Sequence, residues 1–221
     1  LSQTKPGQAF GNLVKTKIFS PVYGLTAKGI SALIEMCTAE SGSTPPVIKN
    51  TGQNPNVVIT SVKDLTPEQY KAFKTYTGND YYNINNSLRG LDTATPSNQV
   101  VIDTMTQALD KSALPADTKL YRGTSSAELG GLAGYPANDL IGQTFKQDGF
   151  MSTSTDFAAA KSFQKDLFIT IDAPAGSKAL DIASLSYYPS ESEILFNAGQ
   201  EMVITDAKDQ GGVMNITVTP K

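Results

Sequence analysis

Two carboxylates near the C-terminal end of the sequence have the types and spacing best suited to chemistry. Glu191 and Glu193 are two positions apart and directly precede the apolar triplet Ile194-Leu195-Phe196, which predicts a strand. At the two-residue period of a strand, both carboxylates would point to one face of a sheet, where like charges repel each other. A structural design would normally avoid that arrangement, although these residues alone favour a solvated acidic strand edge over a functional pair.

The composition limits which catalytic groups are available. The sequence contains no histidine and a single cysteine, Cys37. Ser-His-Asp and Cys-His mechanisms are therefore excluded, a disulfide within these residues cannot form, and a structural metal site is not expected. Any catalysis must use carboxylates, hydroxyls, arginine or lysine.

Length and charge narrow the class of protein further. A chain of 221 residues predicts one globular domain. Its net charge of -3 gives no sign of the basic surface that nucleic-acid binding requires. The sequence has no run of about 18 apolar residues, so no transmembrane helix is expected. Because the N-terminus lacks both a signal-peptide core and an initiator methionine, we expect a processed or trimmed product.

The elements that must position these groups are helices in the first half and strands in the second, an α+β pattern. Thr66-Pro67-Glu68-Gln69 is a capping box with proline at the first helical position, and it predicts a helix ending near Gly78. Other helices are predicted over 80–89, over 100–109 and, capped by Thr155-Asp156, through Phe163. Strands are predicted at 119–122, 144–145, 149–154, 167–171, 179–182, 194–196, 202–204 and 214–218.

Residues 1–60 are predicted to form an N-terminal extension, and residues 61–221 the main domain. A helix is predicted over 27–39, and the Ser-, Gly-, Pro- and Asn-rich stretch 41–56 predicts a linker. Val57-Val58-Ile59 is interpreted as a short strand or an apolar anchor. The extension is expected to dock a partner or to brace the main domain, of which it could be part.

Four motifs, in this order, resemble a known enzyme family. They are Leu65-Thr66-Pro67-Glu68-Gln69-Tyr70 with Tyr76, Tyr81, Asn85 and Leu88-Arg89-Gly90; Tyr121-Arg122-Gly123; Phe150-Met151-Ser152-Thr153-Ser154; and Glu191-Ser192-Glu193. Each motif alone is common by chance. Their order and spacing in a chain without histidine resemble the arginine–serine–glutamate class of mono-ADP-ribosyltransferases, the clostridial binary-toxin-like group. The resemblance runs from about residue 60 to the end.

The resemblance implies an α+β fold in which N-terminal helices precede a mixed or antiparallel β-sandwich of the ADP-ribosyltransferase type with an NAD cleft. It also implies cleavage of NAD, as a co-substrate, with release of nicotinamide and transfer of ADP-ribose to an acceptor. Cleavage of that glycosidic bond passes through an oxocarbenium-like state, which a carboxylate can stabilise without help from histidine. No metal is implied.

Roles for the catalytic residues follow from the resemblance. Glu193 would be the catalytic carboxylate, Glu191 would orient and help deprotonate the acceptor, and Ser152 would hydrogen-bond Glu193. In the family, glutamate at the position of Glu191 accompanies arginine acceptors. Tyr188 would face the acceptor. The alternatives are polar alternation on a strand for Ser152 and an exposed loop tyrosine for Tyr188.

Roles for the NAD-binding residues follow in the same way. Arg122 would grip a phosphate, Gly123 would approach the nicotinamide amide, Phe163 would stack on nicotinamide, and Tyr76, Tyr81 and Asn85 would line the cleft. The alternatives are a surface arginine ending a strand for Arg122, a turn glycine for Gly123, and core packing for Phe163 and Tyr76.

Two further positions bear on the ligand and the target. Arg89 is interpreted as a phosphate ligand or as a partner of the last carbonyls of its helix. Some actin-modifying members carry a second basic residue where this chain has Gly123, so actin is not the expected target.

Three functions remain as alternatives. The first is an arginine-specific mono-ADP-ribosyltransferase toxin or effector, secreted from a bacterium and acting in the host-cell cytoplasm on a host protein with an acceptor arginine. It would need a delivery component or secretion apparatus, but neither nucleic acid nor a membrane span. The second is an NAD glycohydrolase, with water as the acceptor. The third is a non-catalytic β-rich binding module, which the many Thr, Asn and Gly residues would suit.

Overall fold

The computed structural model describes residues 57–221, which form five α-helices and eight strands. The predicted helix over 27–39, the predicted linker over 41–56 and almost all of the proposed N-terminal extension lie outside the described residues. The α-helices are α1 (Pro67–Thr75), α2 (Tyr81–Leu88), α3 (Pro96–Asp110), α4 (Ala137–Leu140) and α5 (Phe157–Lys161). None of the helices in this part of the chain has the length and apolar character needed to cross a bilayer.

All eight strands belong to one sheet. They are β1 (Thr118–Thr124), β2 (Thr144–Gln147), β3 (Met151–Ser154), β4 (Leu167–Ala173), β5 (Ala179–Asp181), β6 (Glu193–Phe196), β7 (Gln200–Gln210) and β8 (Val213–Pro220). Their order is β2-β7-β8-β4-β1-β3-β6-β5, and every pair is antiparallel except β4 with β8. The register of β1 with β3 consists of the single pair Tyr121–Ser154, so the sheet divides there into a five-strand and a three-strand part.

An apolar core lies between the two parts of the sheet, as in a β-sandwich. Ile169 and Ile204 of the five-strand part share this cluster with Ile194 and Phe196 of the three-strand part. Because side chains alternate along β6, Glu193 and Leu195 point to the face opposite that of Ile194 and Phe196. The predicted α+β class with a β-sandwich is therefore confirmed.

The three longer helices cover the outer face of the three-strand part. Phe73, Ile84 and Met105 from α1, α2 and α3 form a second core with Leu180 of β5 and Leu195 of β6. Glu193 and Leu195 lie on the same face of β6, so the first residue of that strand is held against the helices rather than facing solvent. The candidate active site lies along this boundary between the helices and the sheet.

Local capping signals place the helices. Thr66 Oγ1 accepts from the Gln69 amide at 3.2 Å and Gln69 Oε1 accepts from the Thr66 amide at 3.0 Å, which confirms the predicted capping box of α1. The prediction that the third helix begins at residue 100 was wrong, because Thr95 caps the Asn98 amide at 3.2 Å and the helix begins at Pro96. Asp156 caps α5 as predicted, but the helix ends before Phe163.

Ile59 decides between the two interpretations of Val57-Val58-Ile59. It is completely buried, and it forms one isolated bridge with Ser112 rather than a strand. Its amide donates to the Lys111 carbonyl at 2.9 Å. This segment is therefore an apolar anchor at the end of α3.

Gly123 brings helix α5 into contact with strand β1. A β-carbon at this position would lie 2.3 Å from the Ala160 carbonyl oxygen and 2.6 Å from the Gln164 amide nitrogen. Real side chains do not approach backbone atoms so closely, so only glycine permits this packing. Gly123 lies within β1, and the interpretation of it as a turn glycine is therefore wrong.

Gly123→Ala should destabilise the protein, because α5 must move away from β1 to admit the methyl group. We expect a loss of about 1–3 kcal/mol in the free energy of unfolding, the usual cost of overpacking. Urea denaturation monitored by circular dichroism measures this change. The matched control is Gly131→Ala, where no atom lies within 4 Å of the new carbon. Equal denaturation midpoints for the two variants would contradict the packing argument.

Candidate active site

Arg122 is buried at the point where the two parts of the sheet meet. Its side chain is 1% exposed, and its Nε and Nη2 donate to the two carboxylate oxygens of Glu128 at 2.7 and 2.8 Å. Its Nη1 donates to the Ser152 carbonyl oxygen at 2.7 Å. This fork links β1, the segment Ser126–Leu132 and β3 through one planar cation. The alternative of a surface arginine is therefore wrong.

Arg89, which follows α2, places a second guanidinium nearby. The residue is only 6% exposed, and its Nε and Nη1 have no hydrogen-bond partner among residues 57–221. Burial and, after it, the positive charge of Arg122 lower the pKa of Arg89, whereas the acidic neighbour Glu128 acts in the opposite direction. A buried guanidinium without partners for two of its nitrogens is costly, and an anion would compensate it.

Gly149 provides the surface on which the Arg89 guanidinium rests. A β-carbon at Gly149 would lie 2.8 Å from the Asn85 Oδ1 and 3.2 Å from the Arg89 Nη2. The missing side chain therefore lets helix α2 bring both polar groups against the segment that leads into β3. The hydrogen bonds of the described residues do not join the Arg89 side chain to the last carbonyls of α2, so that interpretation has no support.

Tyr76, Asn85 and Ser152 form a buried polar chain between the helices and β3. Asn85 Nδ2 donates to the Tyr76 hydroxyl at 3.0 Å, and the Phe150 amide donates to Asn85 Oδ1 at 2.9 Å. The Ser152 side chain also acts on the Tyr76 hydroxyl, in the direction that lowers the pKa of the phenol. Burial and the negative charge of Glu193 raise the pKa of Tyr76 to about 12, so the phenol is a neutral hydrogen-bonding group at physiological pH.

Glu193 is the first residue of β6 and is 1% exposed. In the register it lies opposite Ser154, so it shares a face of the sheet with Ser154 and Ser152. Its charge acts on Tyr76, which brings this carboxylate to the same polar chain. Glu193 is therefore not part of a solvated strand edge, and the predicted hydrogen bond from Ser152 to it stays a prediction.

Glu191 does not lie on the strand with Glu193. It ends the one-turn helix Pro189–Glu191, and Ser192 follows in a left-handed conformation with φ 48° and ψ 48°. The alternation of a strand therefore does not relate the two carboxylates, and the prediction based on it was wrong. Glu191 is partly buried in the turn, whereas Glu193 is buried in the strand.

Two hydrogen bonds from the end of β3 hold the turn that contains Glu191. Ser154 Oγ donates to the Glu191 carbonyl oxygen at 2.7 Å, and the Thr155 amide donates to the Ser192 carbonyl oxygen at 3.2 Å. Left-handed backbone is unfavourable for serine, so these bonds stabilise a conformation that the chain would not adopt alone. We call Tyr187–Ser192 the carboxylate turn.

Helix α1 supports the carboxylate turn from the other side. Lys74 Nζ donates to the Leu185 carbonyl oxygen at 3.0 Å and lies 3.8 Å from the centre of the Tyr187 ring. A groove of about 870 Å³ opens beside this contact. It is lined by Tyr70, Lys71, Lys74, Thr75, Gly78, Asn79, Asp80, Tyr187 and Tyr188. The groove reaches the carboxylate turn through Tyr188, whose carbonyl accepts from the Glu191 amide at 3.0 Å.

The other predicted site residues make mainly packing contacts. Tyr81 packs against the core between the helices and the sheet. Phe163 follows α5 and packs against Ala160 and Phe168, which agrees with the core alternative for it. The structure thus brings together Arg122, Tyr76, Asn85, Ser152 and Glu193, with Glu191 in the adjoining turn.

Three functional candidates escaped the sequence analysis. Glu128 lies between the predicted strands at 119–122 and 144–145, and its only signal was an acid six residues after Arg122. Ser154 belongs to the motif Phe150-Met151-Ser152-Thr153-Ser154, in which the resemblance implies a role for Ser152 only, and Lys74 carried no signal. Among residues 57–221, no three His, Cys, Asp or Glu side chains cluster as metal ligands would.

The chain is similar to known proteins over most of the described region. The ADP-ribosyltransferase exoenzyme family model matches residues 56–221. Secreted exoenzyme S from Pseudomonas aeruginosa is 31% identical over 140 residues, which cover 62% of this chain and 29% of that protein. A Mycobacterium avium protein, provisionally named as an NAD(+)–arginine ADP-ribosyltransferase, is 33% identical over 149 residues, covering 63% of this chain and 16% of that protein. The chain thus spans less than a third of the length of these relatives.

Solved structures share the fold. Plx2a, an ADP-ribosyltransferase toxin from Paenibacillus larvae, superposes with a TM-score of 0.62 at 22% identity, covering 72% of this chain and 88% of that one. Pseudomonas aeruginosa exoenzyme S, bound to carba-NAD and human 14-3-3 protein beta, superposes with a TM-score of 0.60 at 23% identity, covering 70% of this chain and 74% of that one. At these identities the likeness shows the fold alone.

Glu128→Gln should strongly destabilise the protein, because it leaves the buried Arg122 cation without its counter-charge. We expect a loss of about 3–5 kcal/mol in the free energy of unfolding, typical of a broken buried ion pair. Denaturant titration measures it. The matched control is Asp172→Asn, which breaks the exposed Lys119–Asp172 pair and should leave the midpoint unchanged. A midpoint for Glu128→Gln as high as that of the control would contradict the assignment.

Lys74→Met should loosen the carboxylate turn, because it removes both the bond to Leu185 and the cation above Tyr187. We expect faster amide hydrogen exchange in the peptide that covers residues 185–192, with the rest of the chain unchanged. The control is Lys71→Met, one turn earlier on the exposed face of α1. Equal exchange of that peptide in both variants would show that Lys74 does not support the turn.

Proposed function

The chain belongs to the ADP-ribosyltransferase exoenzyme family, and from that premise we propose that it cleaves NAD and transfers ADP-ribose to an arginine of a host protein. The observation that carries the proposal is the convergence of Arg122 and Glu193 on Ser152. Arg122 binds the Ser152 carbonyl, and the Ser152 side chain lies on the same face of the sheet as Glu193. One residue of β3 therefore joins a buried cationic group to a buried carboxylate.

The cationic side of the site suits the diphosphate of NAD. Arg89 and Arg122 are the chain's two arginines, and their charges act on each other in a buried position. Arg122 is already anchored by Glu128, whereas Arg89 has two nitrogens without hydrogen-bond partners among the described residues. A diphosphate would supply the missing acceptors and the missing negative charge. We therefore assign the more direct phosphate contact to Arg89, with Arg122 beside it.

The carboxylate side suits the cleavage step. A buried, ionised Glu193 would stabilise the positive charge that develops on the ribose as the bond from its C1′ to the nicotinamide nitrogen breaks. That bond's electron pair leaves on nicotinamide, so no acid catalyst is needed. Ser152 and Tyr76, whose hydroxyl is held by Asn85, would keep the surroundings of the carboxylate fixed. Asn85 and Tyr81 complete this wall of the NAD cleft in the proposal.

Glu191 suits the acceptor step. Its carboxylate lies in the turn outside the strand, where Tyr188 and the groove beside α1 give an incoming side chain access. Glu191 would orient a guanidinium and take its proton while a guanidine nitrogen forms the new bond to C1′. The products are nicotinamide, ADP-ribosylated arginine and one proton. Gly123 and Phe163 make packing contacts here, and their contact with nicotinamide remains a prediction.

The names of two relatives support the choice of acceptor and compartment. The Mycobacterium avium relative is named for transfer to arginine, and the Pseudomonas aeruginosa relative is named as a secreted exoenzyme. We propose by extension that this protein is secreted from a bacterium as a toxin and acts in the host-cell cytoplasm on a host protein. A separate secretion apparatus or delivery component would carry it there.

Exchange of the two carboxylates for amides should separate the two steps. Glu193→Gln should lower both nicotinamide release and transfer to agmatine by roughly 10²–10³-fold, because the electrostatic stabilisation of the cleavage step is lost. Glu191→Gln should keep most of the nicotinamide release but lose transfer to agmatine, since only the acceptor step needs that carboxylate. Chromatography of nicotinamide, ADP-ribose and ADP-ribosylagmatine measures all three products.

The same assay distinguishes transfer from hydrolysis. Wild-type release of nicotinamide should increase when agmatine is added, and Glu191→Gln should abolish that increase. A rate of nicotinamide release that is the same with and without agmatine would identify an NAD glycohydrolase instead. An equal loss of release and transfer in Glu191→Gln would refute the division of roles between the two carboxylates.

A further inference from the structure

The basic residues of this chain are strongly biased towards lysine. The sequence contains 18 lysine and arginine residues, of which 16 are lysines and 2 are arginines. The two arginines are Arg89 and Arg122, so residues 1–56 contain none. An ammonium and a guanidinium carry the same charge but differ in chemistry, and only the guanidinium is the acceptor in the proposed reaction.

The structure divides the two residue types by accessibility. Of the 11 lysines among residues 57–221, 10 are exposed and Lys74 is partly buried. Arg89 is 6% exposed and Arg122 is 1% exposed, so neither guanidinium lies on the surface that another copy of the protein meets. Every nitrogen of the Arg122 side chain that could react donates a hydrogen bond to Glu128 or to the Ser152 carbonyl. The described surface therefore carries positive charge without presenting a guanidinium.

We infer that the chain is protected against its own activity by the absence of an accessible arginine. This inference rests on the proposed transfer to arginine. An arginine transferase is surrounded by copies of itself wherever it is concentrated, so each exposed arginine would compete with the intended acceptor for NAD. Lysine at the same positions maintains solubility and charge, and the two arginines that the site needs are buried within it.

The reaction avoided is the ordinary transfer step with the enzyme as acceptor. A guanidine nitrogen of one copy would form a bond to C1′ of the NAD ribose held by another copy. The bond from C1′ to nicotinamide would break with its electron pair on nicotinamide, and the guanidinium proton would pass to Glu191 and then to solvent. Arginine at exposed positions should make this step possible, because access and the guanidinium are its only missing requirements.

The test is to introduce exposed arginines. The variant Lys146→Arg/Lys178→Arg/Lys208→Arg changes three exposed lysines without changing charge, on strand β2, between β4 and β5, and on strand β7. Wild type and variant are each incubated with NAD, and the mass of the intact protein and the modified sites are determined by mass spectrometry. Agmatine turnover in parallel reactions shows that each protein is folded and active. A matched Lys146→Gln/Lys178→Gln/Lys208→Gln variant controls for loss of the lysines.

The expected result is that wild type and the glutamine variant gain no ADP-ribose while they modify agmatine. The arginine variant should gain the mass of one or more ADP-ribose units, located at the new arginines. Combined with Glu193→Gln, the arginine variant should stay unmodified alone and gain ADP-ribose when wild type is added.

Two results would overturn the inference. One is an active wild type that gains ADP-ribose on its own residues. The other is an active arginine variant that stays unmodified, since exposed guanidinium groups would then not be acceptors in the enzyme itself. A wild type that fails to modify agmatine overturns the proposed function, and the inference with it, and is recognised separately because the parallel reaction reports it.

Discussion

The buried guanidinium of Arg122 is the constraint on which the rest of the site depends. Removing such a cation from water is tolerable only if its donors are satisfied and its charge is balanced. Glu128 supplies the charge and two acceptors, and the Ser152 carbonyl supplies a third. Since β1 and β3 share a single register pair, this interaction provides a second link across the junction between the two parts of the sheet.

Strand β3 connects Arg122 to the candidate catalytic groups. Its three consecutive hydroxyl residues face three different segments of the protein. The Ser152 side chain acts on the Tyr76 hydroxyl of the helical layer, and Thr153 donates to the Ile194 carbonyl of β6 at 2.7 Å. Ser154 donates to the Glu191 carbonyl of the carboxylate turn. Buried hydroxyls are tolerated when they are paired, as those of Thr153 and Ser154 are in this fully buried strand.

Signals contained within a few residues predicted the structure well. The capping box at Thr66 placed the start of α1, and the apolar run 167–171 predicted the centre of β4. The stretch around Thr95 repeats the Thr-Pro signal, but the helix was predicted to begin only at residue 100, because the Thr, Ser and Asn residues around Thr95 favour turns. The conformation of Ser192 could not be read from residue type, since serine rarely adopts positive φ and needs support from β3 to do so.

The sequence by itself determined which groups are available. Because the sequence contains no histidine, catalysis must use groups such as carboxylates and hydroxyls. Because it contains two arginines, Arg89 and Arg122 are identified as the guanidinium groups. Only the tertiary structure decided that Arg122 is balanced by Glu128, that Gly123 admits a helix, and that Glu191 and Glu193 lie in a turn and a strand. These outcomes depend on tertiary contacts between different segments of the chain. Such contacts produce no periodic pattern or fixed spacing of residues by which the sequence could reveal them.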